Sequence, residues 1–384
     1  MKNRAPAASE IRIDHVCSAS TAVKEGFRKL ISIPYLTGLV YRDWRTEIIN
    51  WIPKEAGNPD MDRRRPIALL EVLRKMWLGI RKGPVQEIWV RNKYINADNF
   101  AFLKGKSTSL PILIKKFALE DAKYFNKPIA TLDVDLSKAY DKVPYHIKEM
   151  ALRRFNLPEE GIGLWSAYDS KRRVRIRTPF GLSDAFHPEC GAFAQGAEES
   201  CIGFVSLMSW ASDFIDEHGN SEPYEINTSA ETTAPLNKTL FCDDTAAMSK
   251  SAEGMQHTLD AMTTFMDAVQ MDINYDKTFW VPMNIDNPPA LHFHSTTPAP
   301  SGQDPWAREN CTLQAVPMKS DTDIWRYLGH FQHNQGSTKT TQDNILAVLQ
   351  EDLAYTASRP MTSQGKNQAI ETLIYSKVVY QTKH

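Results

Sequence analysis

The sequence predicts an α+β protein with more than one subdomain. Apolar residues recur at helical spacing over long stretches, and between them lie short β-branched runs. Two of those runs end in acids. At 384 residues the chain exceeds one minimal domain, and with 42% hydrophobic and 24% charged residues it can bury a large core.

Each element follows from local pattern. Residues 20–35 space their apolar positions as a helix, with Pro34 as its stop. The stretch from Lys54 to Arg65 holds Gly57, Pro59 and several charges, and reads as a turn-rich hairpin or loop. Residues 67–80 and 85–94 read as two helices divided at Gly83-Pro84, and 108–124 as a third. Residues 128–135 form a short strand buried on one face, followed by helices at 145–154 and 159–168. Arg173, Arg175 and Arg177 alternate with apolar residues, so they share one face of a strand. Gly181 and residues 188–191 mark turns, and a long helix covers 195–215.

Residues 217–236 are polar and aperiodic and read as an insertion or long loop. Residues 239–248 give a strand, a tight acidic turn and a strand. A helix at 252–269, a strand at 273–281 and a Pro, Ser and Thr-rich loop at 284–309 follow. The tail offers a short strand near Tyr327 and helices at 342–357 and 364–380. Nine Trp predict large aromatic packing surfaces, and Met76 and Trp77 are read as core.

Composition narrows the function classes. Forty-five basic and 46 acidic residues give a net charge of −1, so nucleic-acid contact must come from local basic patches. Five cysteines, with no Cys-x-x-Cys pair, exclude a disulfide scaffold and speak against a zinc ribbon. No signal-peptide core or membrane-length apolar run is present, so an intracellular, cytoplasmic or nuclear protein with no membrane partner is expected.

The acids carry the chemistry. Asp133-Val-Asp135 closes one strand, and Asp243-Asp244 sits at a later strand turn. Carboxylates at the ends of buried strands are costly unless solvated, paired or holding a cation. If the two strands are neighbours, Asp135, Asp243 and Asp244 converge, and clustered carboxylates suit Mg²⁺. Paired ions of this kind serve polymerases and nucleases. A lone Asp-Asp is most often a solvated turn, so the surrounding motifs must decide.

Seven segments do so. They are Trp51-Ile-Pro-Lys54 with Arg65-Pro66-Ile67, Asn99-Phe-Ala-Phe102-Leu-Lys-Gly105, Asp135-Leu-Ser-Lys-Ala-Tyr140-Asp141, and Gly191-Ala-Phe-Ala-Gln195-Gly196. Phe241-Cys-Asp243-Asp244, Ile273-Asn274-Tyr-Asp-Lys277-Thr278 and Tyr327-Leu328-Gly329 complete the set. In this order they resemble the motifs of reverse transcriptases from non-LTR (long-interspersed-element type) retrotransposons. Ala5 to Ser9 and Trp44 resemble the family's upstream segment.

The resemblance implies a right-hand polymerase with an antiparallel palm sheet, helical fingers and a truncated thumb. It places an N-terminal extension and fingers in 1–127 and the palm in 128–335. Fingers helices are interleaved around 145–180, and the thumb starts in 336–384. It implies RNA-directed DNA synthesis, with an RNA template, a nucleic-acid primer and dNTP as partners. Asp135, Asp243, Asp244 and the Leu136 carbonyl would hold two Mg²⁺, with Mn²⁺ as a substitute. Asp135 is preferred to Asp133 because only from Asp135 does an aromatic, Tyr140, fall five residues on.

Lys54, Arg65, Tyr140, Gln195, Gly196 and Lys277 would bind the nucleotide. Arg173, Arg175 and Arg177 either track a template backbone or protect a solvated edge strand. No endonuclease or RNase H signature is present and the chain stops at His384, so a longer parent polyprotein is expected. Ala197-Glu198-Glu199 departs from the family after Gln195-Gly196. Those acids favour a catalytically inactive, nucleic-acid-binding remnant of the same fold. An RNA-templated RNA polymerase is the other alternative, opposed by Phe241 and Tyr140.

Overall fold

The computed structural model describes residues 7–54, 60, 63–219, 222–229, 231–293, 314–320, 323–328, 330–332 and 338–358, with single positions 360, 362, 363, 366 and 370 beyond. The chain starts with helices α1 (Ile13–Ser18) and α2 (Thr21–Thr37) and strands β1 (Thr46–Pro53) and β2 (Arg64–Leu69). Helices α3 (Val72–Arg91) and α4 (Ser109–Phe125) and strand β3 (Ile129–Val134) follow. Next come α5 (Ala139–Lys142), α6 (Tyr145–Arg154), α7 (Glu159–Asp169), the hairpin β4 (Arg173–Thr178) and β5 (Gly181–Leu182), and α8 (Glu198–His218).

The hairpin β6 (Tyr224–Asn227) and β7 (Thr233–Leu236) precedes strands β8 (Lys238–Phe241) and β9 (Asp244–Ser249) and helix α9 (Ala252–Ala268). Strands β10 (Phe279–Met283), β11 (His292–Phe293), β12 (Gln314–Ala315), β13 (Trp325–Tyr327) and β14 (His330–Gln332) lead to α10 (Thr338–Ser358). The mixture of helix and mainly antiparallel sheet is α+β, as the sequence predicts. No helix among the described residues is long and apolar enough to cross a membrane.

The chain divides into two compact units. One comprises Met1–Lys104, Leu136–Glu217 and Met262–Ile273, and the other Gly105–Asp135, His218–Ala261 and Asn274–His384.

In the first unit, β1 pairs antiparallel with β2 and parallel with β4, which continues into β5. One face buries Ile49, Ala68, Leu70, Val174, Ala194 and Ala197. A second cluster gathers Trp44, Trp77 and Tyr168, with the two indoles 5.9 Å apart, as the Trp count predicts. In α2 the helix runs past Pro34 and stops at Gly38, whose left-handed φ of 69° lets its amide reach the Pro34 carbonyl at 3.0 Å. Phe193 is fully buried against α8 at Gly203, where an added Cβ would lie 2.2 Å from its ring.

Besides the stop expected at Pro34, two expectations fail here. Residues 64–69 are strand, because Arg-Arg-Pro-Ile-Ala-Leu pairs with β1 in register from Pro53–Arg64 to Ile48–Leu69. The predicted break at Gly83-Pro84 is absent, since α3 continues through Pro84. A mid-helix proline costs about 3 kcal/mol, which burial of Trp77 and Leu78 before it and Trp89 after it offsets.

In the second unit, β10-β3-β9-β8 form an antiparallel sheet. Strand β3 lies inside it and all six of its residues are buried, so the one-face expectation fails. Ala118 and Ala122 of α4 pack on Ile129 and Met248. The predicted loop at 217–236 contains the β6–β7 hairpin instead. Tyr224 anchors it: the ring is buried and its hydroxyl donates to Asp121 Oδ2 at 2.5 Å.

The strand expected from 273 starts at Phe279, because residues 274–278 turn, with Thr278 N donating to the Asn274 carbonyl at 2.9 Å. The helix expected at 342–357 falls within α10. Most of the helix expected at 364–380, most of the 54–65 loop and much of the 284–309 loop lie outside the described residues.

Candidate active site

Strand register brings the acids of the second unit together. Val134, the last residue of β3, pairs with Thr245, so Asp135 directly follows that pair on one chain segment and Asp244, the first residue of β9, directly precedes it on the other. Asp244 also pairs with Phe241 across a two-residue turn that holds Cys242 and Asp243. Cys242 takes a left-handed φ of 62°, which lets the chain reverse there. Burial pushes the Asp244 carboxyl up to about 7, and Asp243, Asp135 and Asp133 push the same way against Lys277.

Asp135 is held from the turn before β10. Asn274 Nδ2 donates to its Oδ2 at 2.9 Å, Lys277 Nζ lies 3.4 Å from the same oxygen, and Thr278 Oγ1 accepts from its amide at 3.3 Å. The Asn274 amide donates to the Asp135 carbonyl at 2.8 Å. The sequence singled out Lys277 and missed the work of Asn274 and Thr278. Their place in the same short motif as Lys277 was the available signal.

Asp133 has a partner of its own. Both of its oxygens accept from the buried Lys115, at 2.6 and 2.5 Å. Burial lowers the Lys115 pKa, and Asp133 opposes that shift. The Tyr327 ring lies 4.8 Å from the ammonium, and its hydroxyl meets Thr239 Oγ1 at 3.0 Å. Gly329, the last residue of that motif, is outside the described residues.

The other candidates lie in the first unit. Leu136 is buried and its backbone bridges Ile273. Lys54 and Arg65 are exposed on the β1–β2 hairpin, Lys54 just past β1 and Arg65 on β2. Tyr140 stacks on Phe204 of α8 with ring centroids 4.5 Å apart and planes at 17°. Gln195 gives its carbonyl to the Ala68 amide at 2.7 Å and its side-chain amide to Asp141 at 3.3 Å. Gly196 has φ 98°, and a Cβ there would lie 3.2 Å from the Ala68 carbonyl, so glycine is required. Burial pushes Asp141 up to about 6, opposed by Arg172, Lys138, the Gln195 hydrogen bond and Lys54.

Behind this group lie buried charges that no local pattern announces. Glu47 accepts from Arg74 at 2.9 Å and from Arg172 at 2.7 Å, and Arg74 reaches Glu199 at 2.8 Å. Glu199 is therefore held by Arg74 inside the fold, and the argument it lent to an inactive remnant falls away. The side chain of Glu198 lies outside the described residues. Arg173 and Arg177 are exposed and Arg175 donates to the Ser183 carbonyl at 2.8 Å. Their strand lies between β1 and β5, so the edge-protection reading fails.

The family profile of the reverse transcriptases (RNA-dependent DNA polymerases) matches residues 52–331, most of the chain. The chain belongs to the reverse transcriptase family. Enzymes of this family use divalent metal ions. A curated relative is the probable RNA-directed DNA polymerase from transposon BS of Drosophila melanogaster, 22% identical over 69% of this chain. This chain spans 29% of that protein's length. The relative's transposon origin agrees with the motif resemblance to retrotransposon reverse transcriptases.

Similar solved structures are telomerases of Candida tropicalis. One, in complex with a fragment of telomeric RNA, covers 94% of this chain and 59% of its own, at 12% identity and a TM-score of 0.45. An apo form truncated from its C-terminal domain covers 70% and 57%, at 12% identity and 0.44. Among the described residues, no three His, Cys, Asp or Glu side chains already close around one point as a metal cage.

Proposed function

We propose that this reverse transcriptase domain extends a primer 3′-hydroxyl with dNTP on an RNA template. The observation that supports it best is that Asp135 and Asp244 flank the last β3–β9 pair, Val134 with Thr245, with Asp243 next to Asp244 in the turn. Asp244 is pushed up to about 7 by burial and by three other carboxylates, with Lys277 opposing, so negative charge concentrates at this point. An all-oxygen donor set of this kind fits a hard dication.

Asp135, Asp243, Asp244 and the Leu136 carbonyl are assigned to hold two Mg²⁺, with Mn²⁺ as a substitute. Bound there, the ions would acidify the primer hydroxyl and neutralise the departing pyrophosphate. Asp135 must then exchange Lys277 for a cation, and the freed Lys277 is assigned to the leaving phosphates. Lys54 and Arg65 are assigned to the triphosphate, Arg65 as a bidentate fork and Lys54 as a point charge.

Tyr140 is assigned as the wall beside the sugar, and Gln195 and Gly196 as the backbone approach to nucleotide and template. The arrangement is read as fingers in 1–127, palm in 128–335 and the start of a thumb in 336–384. Primer extension on an RNA template, in Mg²⁺ and separately in Mn²⁺, tests the reading. Wild type is expected to incorporate dNTP, and Asp243→Asn to lose extension with its melting temperature unchanged. Extension by Asp243→Asn at the wild-type rate overturns the metal assignment.

A further inference from the structure

Two buried cations touch the backbone that leads into Gln195 and Gly196. Arg172 sends Nε and Nη2 to Glu47 Oε2 at 2.9 and 2.7 Å, and Nη1 to the Gly191 carbonyl. Lys148 Nζ reaches Asp169 Oδ2 at 2.5 Å and the Ala192 carbonyl at 3.2 Å. The amides of the same two residues, Gly191 and Ala192, both donate to the Val143 carbonyl, at 3.2 and 2.9 Å. Every polar backbone atom of Gly191 and Ala192 is therefore engaged.

The far end of the segment is fixed as well. The Gln195 carbonyl accepts from Ala68, and Gly196, at φ 98°, would place a Cβ 3.2 Å from the Ala68 carbonyl. Gly191 has φ 84°, and a Cβ there would lie 3.1 Å from the Asp141 carbonyl, so the near end abuts the turn that carries Tyr140 and Asp141.

Stability does not account for this arrangement. Buried ion pairs are often no more stabilising than apolar residues of the same volume, because desolvation offsets the attraction. Here each carboxylate leaves its cation spare donors, and those donors reach consecutive carbonyls of one segment. Glu47 and Asp169 orient the cations, and the cations orient the loop.

We infer that Arg172 and Lys148 are positioning residues that hold Gly191 and Ala192 so that Gln195 and Gly196 arrive already shaped for the incoming nucleotide. The inference rests on the polymerase reading for its consequence, and on the hydrogen bonds alone for the clamp. A loop ordered in advance avoids an ordering cost when the nucleotide binds.

Two measurements on the purified chain test it. The variant Lys148→Met/Asp169→Leu removes one pair without leaving a buried charge. Hydrogen exchange over residues 188–197 is expected to quicken about tenfold or more, with α3 and α8 unchanged. In primer extension the same variant should raise the nucleotide KM about tenfold while kcat and primed-template affinity change by less than about threefold. Arg172→Lys, which keeps the charge but loses the fork, should give an intermediate KM, and it replaces the double variant in both assays should that one fail to fold. Unchanged exchange at 188–197, a loss of protection spread across the unit, or a fall in kcat at constant KM overturns the inference. A wild type that extends under no condition refutes the polymerase reading, and the exchange measurement then decides the clamp by itself.

Discussion

Asp244→Asn is expected to stabilise the protein above neutral pH once divalent cations are chelated. In the unfolded chain this carboxyl loses its proton near pH 3.9, whereas in the fold it keeps the proton to about 7. Between those values the native state binds more protons than the unfolded state, so stability falls as pH rises. At 1.36 kcal/mol per pH unit, full ionisation costs the fold about 4 kcal/mol. Asparagine carries no charge and escapes that cost.

Urea unfolding in EDTA at pH 5 and pH 8 reads the effect. Asp141, which titrates in the same window, is present in both proteins and cancels in the difference. About 1.5 kcal/mol of that cost is already present at pH 5, so the variant should gain about 1.5–2.5 kcal/mol on wild type between the two conditions, the lower figure allowing for relaxation around the carboxylates. Adding Mg²⁺ at pH 8 should then recover stability in wild type and far less in the variant. Parallel pH profiles, or a wild type indifferent to Mg²⁺, would refute the reasoning.

Three further outcomes are expected. Lys115→Met strands the Asp133 carboxylate inside the second unit and should cost about 3–5 kcal/mol in urea unfolding, most of it recovered in Lys115→Met/Asp133→Leu. Tyr140→Ala should admit ribonucleotides far better than wild type in primer extension while keeping some dNTP incorporation, with thermal melting beside it to register the lost stack on Phe204. A wild type that already prefers ribonucleotides would defeat that assignment. Gly203→Ala, which drives a methyl into the Phe193 ring, should lose about 1–3 kcal/mol, part of it restored by Phe193→Leu.

The amphipathic helices at 109–125, 145–154 and 159–169 were legible because their apolar spacing and their bounding residues agree. Residues 64–69 were not, since Pro-Ile-Ala-Leu-Leu fits the start of a helix as well as a strand, and only pairing with 48–53 decides. The β6–β7 hairpin hid for a related reason. Its strands are four residues each, without a clean apolar alternation, and their anchor, Asp121, is over a hundred positions earlier. Within the site, Asp135, Asp243 and Asp244 were visible because an acid at the end of an apolar strand is costly without a reason. Glu47, Arg74, Lys148 and Arg172 were invisible, because a buried ion and a surface ion are written with the same letter. Glu47 meets Arg172 across 125 positions, beyond any local pattern.

The inner position of β3 has a consequence for synthesis on the ribosome. The strand leaves the exit tunnel early, yet its partners β9 and β10 end at Ser249 and Met283. Until those arrive, six residues destined for full burial have both hydrogen-bonding edges open. The nascent chain therefore carries an aggregation-prone template for more than a hundred codons, and the acids of the sheet cannot assemble before it closes. Slow translation through that interval should demand chaperone protection, and an N-terminal fragment ending before β9 should precipitate.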